Sequence, residues 1–296
     1  MIKRQLSPEV SISAIVQGFW RLDGWNMTAG ELARFMNECI DRGVTTFDTA
    51  EIYGATLCEK MMGEAFRQDP SIRKRIELVT KTGIFKQVIN GQPFGYYDTT
   101  YDRVVQSCKE SLVRLETDTI DLYLIHREDP LLDVWETARA LQDLKSRGLI
   151  REAGVSNFDP FKFDALNQAM DSTLVTNQIE WNPIGFEHFR SGMMDFLMAK
   201  KIHPMIWSPL AGGRLFSQDE LAVKAMSKIG EIAERHGVDP SVIVYAWILY
   251  HPVGTAPISG SQSLARLDLA IQALSVRLER YEWFEIYSAS GQQEIR

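Results

Sequence analysis

Residues 28–54 read TAGELARFMNECIDRGVTTFDTAEIYG, and they contain a helix, a strand and a polar loop in direct succession. Thr28 followed three residues later by Glu31 forms a capping-box signature, in which a hydroxyl and a carboxylate satisfy free backbone N–H groups at a helix start. Leu32, Phe35, Met36, Cys39 and Ile40 then recur at helical spacing and make one apolar stripe. Gly43 supplies the left-handed residue that ends a helix. Val44–Phe47 is a β-branched and aromatic run, short enough for a buried strand, and it gives way at once to the polar segment Asp48–Gly54.

The same unit repeats in both directions along the chain. Strands are expected at Ile15–Phe19, Val44–Phe47, Ile76–Thr80, Asp121–Ile125, Ile150–Gly154, Val175–Gln178, His203–Trp207 and Thr255–Ser259, with amphipathic stretches between them. Helix starts are marked by Asp133 with Glu136, read as a second capping box, and by Asp159-Pro160 and Asp239-Pro240, which pair a cap residue with proline at the first helical position. Gly148 and Gly237 fit later helix ends as Gly43 does. Eight strands close a (β/α)8 TIM barrel, so an α/β fold of one domain spanning residues 1–296 is expected. Lys3–Ala14 precedes the first barrel strand and reads as a short β-hairpin over the barrel floor. Ile84–Thr100, with Gly91, Pro93 and Gly95, reads as a long loop on the opposite face.

Composition narrows the function classes. Of 296 residues, 45% are hydrophobic and 24% charged, as in globular enzymes, and the formal charge of −7 argues against a nucleic-acid partner. No apolar run is long enough to span a bilayer, and Met1-Ile2-Lys3-Arg4 leads into polar residues, so neither membrane association nor a signal peptide is expected. Cys39, Cys58 and Cys108 are scattered, without metal-ligand or disulfide spacing; a reducing cytoplasm and buried packing suit them, and no metal is expected.

In such barrels chemistry sits at the C-terminal ends of the strands. The second strand runs into Asp48, with Tyr53 on the next turn; the third ends in Lys81 and the fourth in His126. The fifth meets Ser156-Asn157, the sixth contains Gln178, and the seventh ends at Trp207-Ser208. Singly, Asp48 reads as a loop cap, Lys81 as a solvated strand end and His126 as a core histidine. Four ionisable groups converging from consecutive strands are a different matter, because burying them together is costly without a functional return.

The ordered set Asp48/Tyr53, Val79-Thr80-Lys81, Leu124-Ile125-His126, Gly154-Val155-Ser156-Asn157-Phe158, Asn177-Gln178 and Ser208-Pro209-Leu210-Ala211-Gly212-Gly213-Arg214 resembles the signature of the aldo-keto reductases, over nearly the whole chain. The resemblance implies NADPH-dependent reduction of an aldehyde or ketone. Tyr53 would be the proton donor, Lys81 would favour its phenolate, Asp48 would hold Lys81, and His126 would orient the substrate carbonyl. It also implies that Ser156, Asn157 and Gln178 bind the nicotinamide carboxamide and that Trp207 stacks on the ring. Ser208, Leu210, Gly212 and Arg214 would face the pyrophosphate, and Ser261, Gln262 and Arg266 the adenosine end. Many members have a lysine where this chain has Gly260, and an asparagine where it has Ala270. Arg266 remains for the 2′-phosphate, so NADPH is expected in preference to NADH.

Trp20, Trp25 and Trp181 follow the first and sixth strands and are candidates for an apolar substrate pocket, with ordinary packing as the alternative. Arg127-Glu128-Asp129 reads either as polar substrate contacts or as a solvated loop. Three other functions are weighed: an NADPH-binding sensor or regulatory subunit on the same barrel, a Schiff-base aldolase using Lys81, and a metal-dependent hydrolase using His126. A carboxylate paired with Lys81 and the absence of any HxH grouping count against the last two.

Overall fold

The computed structural model describes residues 2–292. It opens with an antiparallel pair, β1 (Lys3–Gln5) and β2 (Ser11–Ser13), followed by β3 (Val16–Gly18), α1 (Ala29–Asp41), β4 (Thr46–Asp48), α2 (Leu57–Gln68) and β5 (Glu77–Thr82). A second hairpin, β6 (Ile84–Ile89) and β7 (Gln92–Tyr97), leads to α3 (Tyr101–Arg114), β8 (Ile120–Ile125), α4 (Val134–Ser146), β9 (Ile150–Ser156) and α5 (Pro160–Ala169). The chain continues through β10 (Asn177–Glu180), α6 (Glu187–Arg190), α7 (Met193–Lys200), β11 (Met205–Trp207), α8 (Glu220–His236), α9 (Pro240–Leu249), β12 (Ala256–Ser259), α10 (Leu264–Gln272) and α11 (Arg280–Ala289). β3, β4, β5, β8, β9, β10, β11 and β12 pair in parallel in that order and close on themselves as a barrel. This is the expected (β/α)8 architecture.

Strand alternation divides the interior in two. Val16, Val79, Leu122, Leu124, Val175, Met205, Ala256 and Ile258 point inward and fill the barrel, whereas Leu78, Tyr123 and Ile125 point outward and meet the helices. The β1–β2 hairpin closes the floor: Val10 and Ile12 join the inner cluster, Ser13 N–H donates to Thr46 Oγ1 at 2.8 Å, and Arg4 Nε donates to the Thr255 carbonyl at 3.3 Å. Sealed at that end, the barrel can admit ligands only at the opposite mouth.

The helix signals read from the sequence are largely realised. Thr28 and Glu31 form a full capping box, and Asp159 and Asp239 cap helices that begin at proline. Asp133 caps α4 through the Trp135 and Glu136 N–H groups, but the return bond from Glu136 is not made, so this cap is one-sided. The segment expected as a loop between Ile84 and Thr100 is instead a regular hairpin. Its reason lies in Asn90-Gly91, where both residues have positive φ (51° and 78°), the conformation a two-residue turn needs to match the strand twist.

Candidate active site

β4 and β5 are neighbours with Asp48, the last residue of β4, opposite Val79, so Lys81 lies two residues further along β5 on the same inward face. Lys81 projects inward and is fully buried. Its Nζ donates to Asp48 Oδ2 at 2.8 Å, to the Thr49 carbonyl at 2.8 Å and to Tyr53 Oη at 3.3 Å. Three fixed acceptors orient this ammonium without leaving a donor free, which offsets much of its desolvation. Asp48 is held on its other oxygen by Gln178 Nε2 at 2.7 Å. Tyr53 opens a short turn in which Gly54 and Ala55 both have positive φ, and its ring stands edge-on to His126 with centroids 5.6 Å apart.

The electrostatics follow from burial and pairing. Burial pushes the Tyr53 phenol above its usual range, and the opposing pull of Lys81 does not overcome it. The phenolate-favouring effect of Lys81 expected from the sequence is therefore present but outweighed, and Tyr53 stands as a protonated phenol at neutral pH. Burial works to lower the Lys81 ammonium, but Asp48 and Tyr53 more than compensate, so it is held charged. Burial, with the nearby charges of Lys81 and Arg127, drives His126 well below the usual histidine range, leaving a neutral imidazole whose Nδ1 has no hydrogen-bond partner among the described residues.

The residues expected at the nicotinamide cluster at the ends of β9, β10 and β11. Ser156 Oγ donates to the Gln178 carbonyl at 2.8 Å, and Asn157, at positive φ, donates to Ser156 Oγ and to the His126 carbonyl. Trp207 Nε1 donates to Asn157 Oδ1 at 2.8 Å, which fixes the indole plane beside the mouth. Arg127 lies over that indole at 5.5 Å, whereas Glu128 accepts from the Asp159 N–H and Asp129 from Leu131 N–H and Thr99 Oγ1. The two acids are thus structural.

Further round, Ser208, Ala211, Gly212 and Gly213 all take positive φ and coil the chain into a loop whose Gly212, Gly213 and Arg214 are exposed. A Cβ at Gly213 would meet nothing within 4 Å. Leu210 is half-buried, and Arg214 reaches Glu180 at 3.5 Å from an exposed position. After β12, Ser261 is half-buried, Gln262 and Arg266 are exposed, Ser263 makes no side-chain cap to α10, and Gly260 faces open space. An uncapped helix start, an arginine with no ion-pair partner among the described residues and two open glycine positions fit a dinucleotide phosphate, with Arg266 in the first turn of α10. Ala270 is wholly buried in the core.

The tryptophans separate. Trp20 is 55% exposed and lies 6.4 Å from the Tyr53 ring, at the mouth. Trp25 is half-buried against Phe19 and Phe35. Trp181 contradicts the pocket expectation: it is fully buried, packed on Phe189, Trp247 and His251. Its position just past β10 turns the ring outward into the helix layer. The Asp48–Gln178 bond went unforeseen, because it joins residues 130 apart and no local pattern announces it. Among the described residues no group of three or more His, Cys, Asp or Glu could hold a metal, and no helix is long and apolar enough to cross a membrane.

A parallel eight-stranded barrel with Asp, Tyr, Lys and His gathered at its mouth defines a small class, and comparison with known proteins agrees. The family model described as "Aldo/keto reductase family" matches residues 14–290, and the chain belongs to that family of oxidoreductases. It is 40% identical over 296 residues to "Uncharacterized oxidoreductase YcsN" of Bacillus subtilis, covering 98% of each chain. It is 38% identical over 293 residues to a "6-dehydroglucose reductase" of Agrobacterium fabrum, again covering 98% of each. The solved structure of the thermostable aldo-keto reductase Tm1743 with the inhibitor epalrestat matches with a TM-score of 0.83 at 26% identity, covering 98% of this chain and 100% of that one. Aldo-keto reductases use nicotinamide cofactors, generally NADPH.

Proposed function

We propose that this protein, acting as one barrel domain over residues 1–296, is an NADPH-dependent reductase of aldehydes or ketones in which Tyr53 is the general acid. The observation that supports this reading best is the buried chain Gln178–Asp48–Lys81–Tyr53, with the phenol 3.3 Å from a charged ammonium. NADPH supplies the hydride. Tyr53 gives its phenolic proton to the carbonyl oxygen as charge develops there, and Lys81 stabilises the phenolate left behind. Asp48 and the Thr49 carbonyl keep Lys81 aimed at Tyr53 and away from solvent. His126, buried and neutral at the inner edge of the mouth, donates a hydrogen bond that orients the carbonyl.

Ser156, Asn157 and Gln178 would hold the carboxamide end of the cofactor, Trp207 would pack on the ring, and Ser208, Leu210, Gly212 and Arg214 would meet the pyrophosphate. Ser261, Gln262 and Arg266 would receive the adenosine phosphate. Trp20 borders the carbonyl substrate, the small-molecule partner of this site, and the reaction belongs in the cytoplasm. NADPH oxidation followed with a panel of aldehydes tests the proposal: turnover on at least one supports it, and tight NADPH binding with none favours the sensor reading.

A further inference from the structure

β5 presents Val79 and Lys81 to the barrel interior, and Thr80 and Thr82 to the helices. The two threonines are tied to two buried carboxylates. Thr82 Oγ1 donates to Glu51 Oε2 at 2.9 Å, and Thr80 Oγ1 donates to Glu59 Oε1 at 2.6 Å. Glu51 lies two residues before Tyr53, and its own N–H donates to the Lys81 carbonyl at 3.0 Å. It therefore grips β5 twice, by backbone on one residue and by side chain on the next.

Arg114, from α3, joins the two acids: its Nε donates to Glu59 at 2.7 Å, and its Nη2 is 3.7 Å from Glu51. Arg103 adds a second cation 3.9 Å from Glu51, with its guanidinium 3.8 Å above the Phe85 ring at the base of the β6–β7 hairpin. Glu51 and Glu59 are 5% and 0% exposed, so this is a buried ion cluster directly behind the catalytic lysine, with Glu110 as a third acid 3.7 Å from Arg114 Nη1. Burial, with the nearby Glu59, pushes the Glu51 carboxyl up, and Thr82, Arg114 and Arg103 pull it only part of the way back. Buried ion clusters contribute little net stability over apolar packing, so stability alone does not account for this one.

We propose that Glu51 and Thr82, braced by Arg114, form a positioning clamp that locks the Tyr53 turn to the Lys81 strand and sets the contact between phenol and ammonium. This rests on the reading of Tyr53 and Lys81 as the acid and its support. The clamp touches neither substrate nor cofactor, so its loss falls on turnover alone. A misplacement of reacting groups by about 1 Å can cost on the order of 100-fold.

Thr82→Val removes one hydroxyl at constant shape and is the decisive variant. It is expected to lower kcat for a good aldehyde by about 10- to 100-fold, leaving KM and the NADPH dissociation constant within about twofold. In a Tyr53→Phe background, assayed at high enzyme concentration, the same change should cost nothing further. Glu51→Gln, which can still accept from Thr82, should retain more kcat than Glu51→Ala. A folded Thr82→Val protein with normal kcat overturns the clamp, as does an equal loss in the Tyr53→Phe background or a loss of NADPH affinity in step with kcat. Wild-type protein inert on every aldehyde would instead strike down the reductase reading itself.

Discussion

The two halves of the mouth are built on opposite plans. On the β4–β5 side, Asp48, Lys81 and Glu59 are almost wholly buried, each with its polar atoms engaged, and helices press close behind; a Cβ on Gly63 would sit 2.1 Å from the Arg114 carbonyl. On the β11–β12 side, Gly212, Gly213, Arg214, Gln262 and Arg266 are exposed, α10 starts without a side-chain cap, and Gly260 faces open space. One side is finished before any ligand arrives, and the other leaves donors and room for one. Proton transfer needs groups held in place in advance, whereas a long charged cofactor needs hydrogen-bond capacity left unspent.

The contrast is broken most severely at Lys81. Lys81→Met should lower kcat by about 10²- to 10⁴-fold with NADPH affinity nearly kept, because the lost group acts on the proton and not on cofactor binding. Steady-state kinetics beside a fluorescence titration of NADPH would show whether kcat and affinity separate in this way. Next comes stability: Gly63→Ala should cost about 1–3 kcal/mol by forcing α2 from α3, whereas Gly260→Ala should leave the melting temperature within error. Paired thermal melts decide this, and equal shifts would mean the two sides are packed alike.

Smaller effects are expected on the open side. Arg266→Ala should weaken NADPH roughly tenfold and NADH hardly at all, since only NADPH carries the 2′-phosphate. Equal losses would remove Arg266 from that role. Gly260→Lys, entering empty space beside it, should tighten NADPH by a few-fold, about 0.5–1 kcal/mol. The pH profile provides the finest test. With the phenol raised and the imidazole lowered, reductive kcat should stay flat from about pH 6 to about pH 9 and fall only as Tyr53 ionises at higher pH. A limb near the ordinary histidine range would show that His126 titrates during turnover.

Much of the closed side was legible in the sequence, because strand ends are local signals: Phe47 into Asp48, Thr80 into Lys81 and Ile125 into His126 announce a strand and its polar terminus together. The hairpin at Ile84–Tyr97 was encoded as well, in Asn90-Gly91, but its flanking residues lack strict alternation and read as loop. Trp181 shows the limit of reading by position. One step past a strand end, a tryptophan can face the mouth or the helix layer, and only the contacts with Phe189 and Trp247 decide. Glu51 and Glu59 were hidden for a related reason, since their partners Thr82, Thr80 and Arg114 come from β5 and α3.

The central claim is that Tyr53 delivers the proton, and Tyr53→Phe tests it most directly, because the ring and its packing against His126 survive while the donor is lost. With NADPH affinity and the melting temperature unchanged, turnover on a good aldehyde should fall by about 10²- to 10⁴-fold. Near-normal turnover with the cofactor still bound would contradict the account, placing the acid elsewhere even on this barrel.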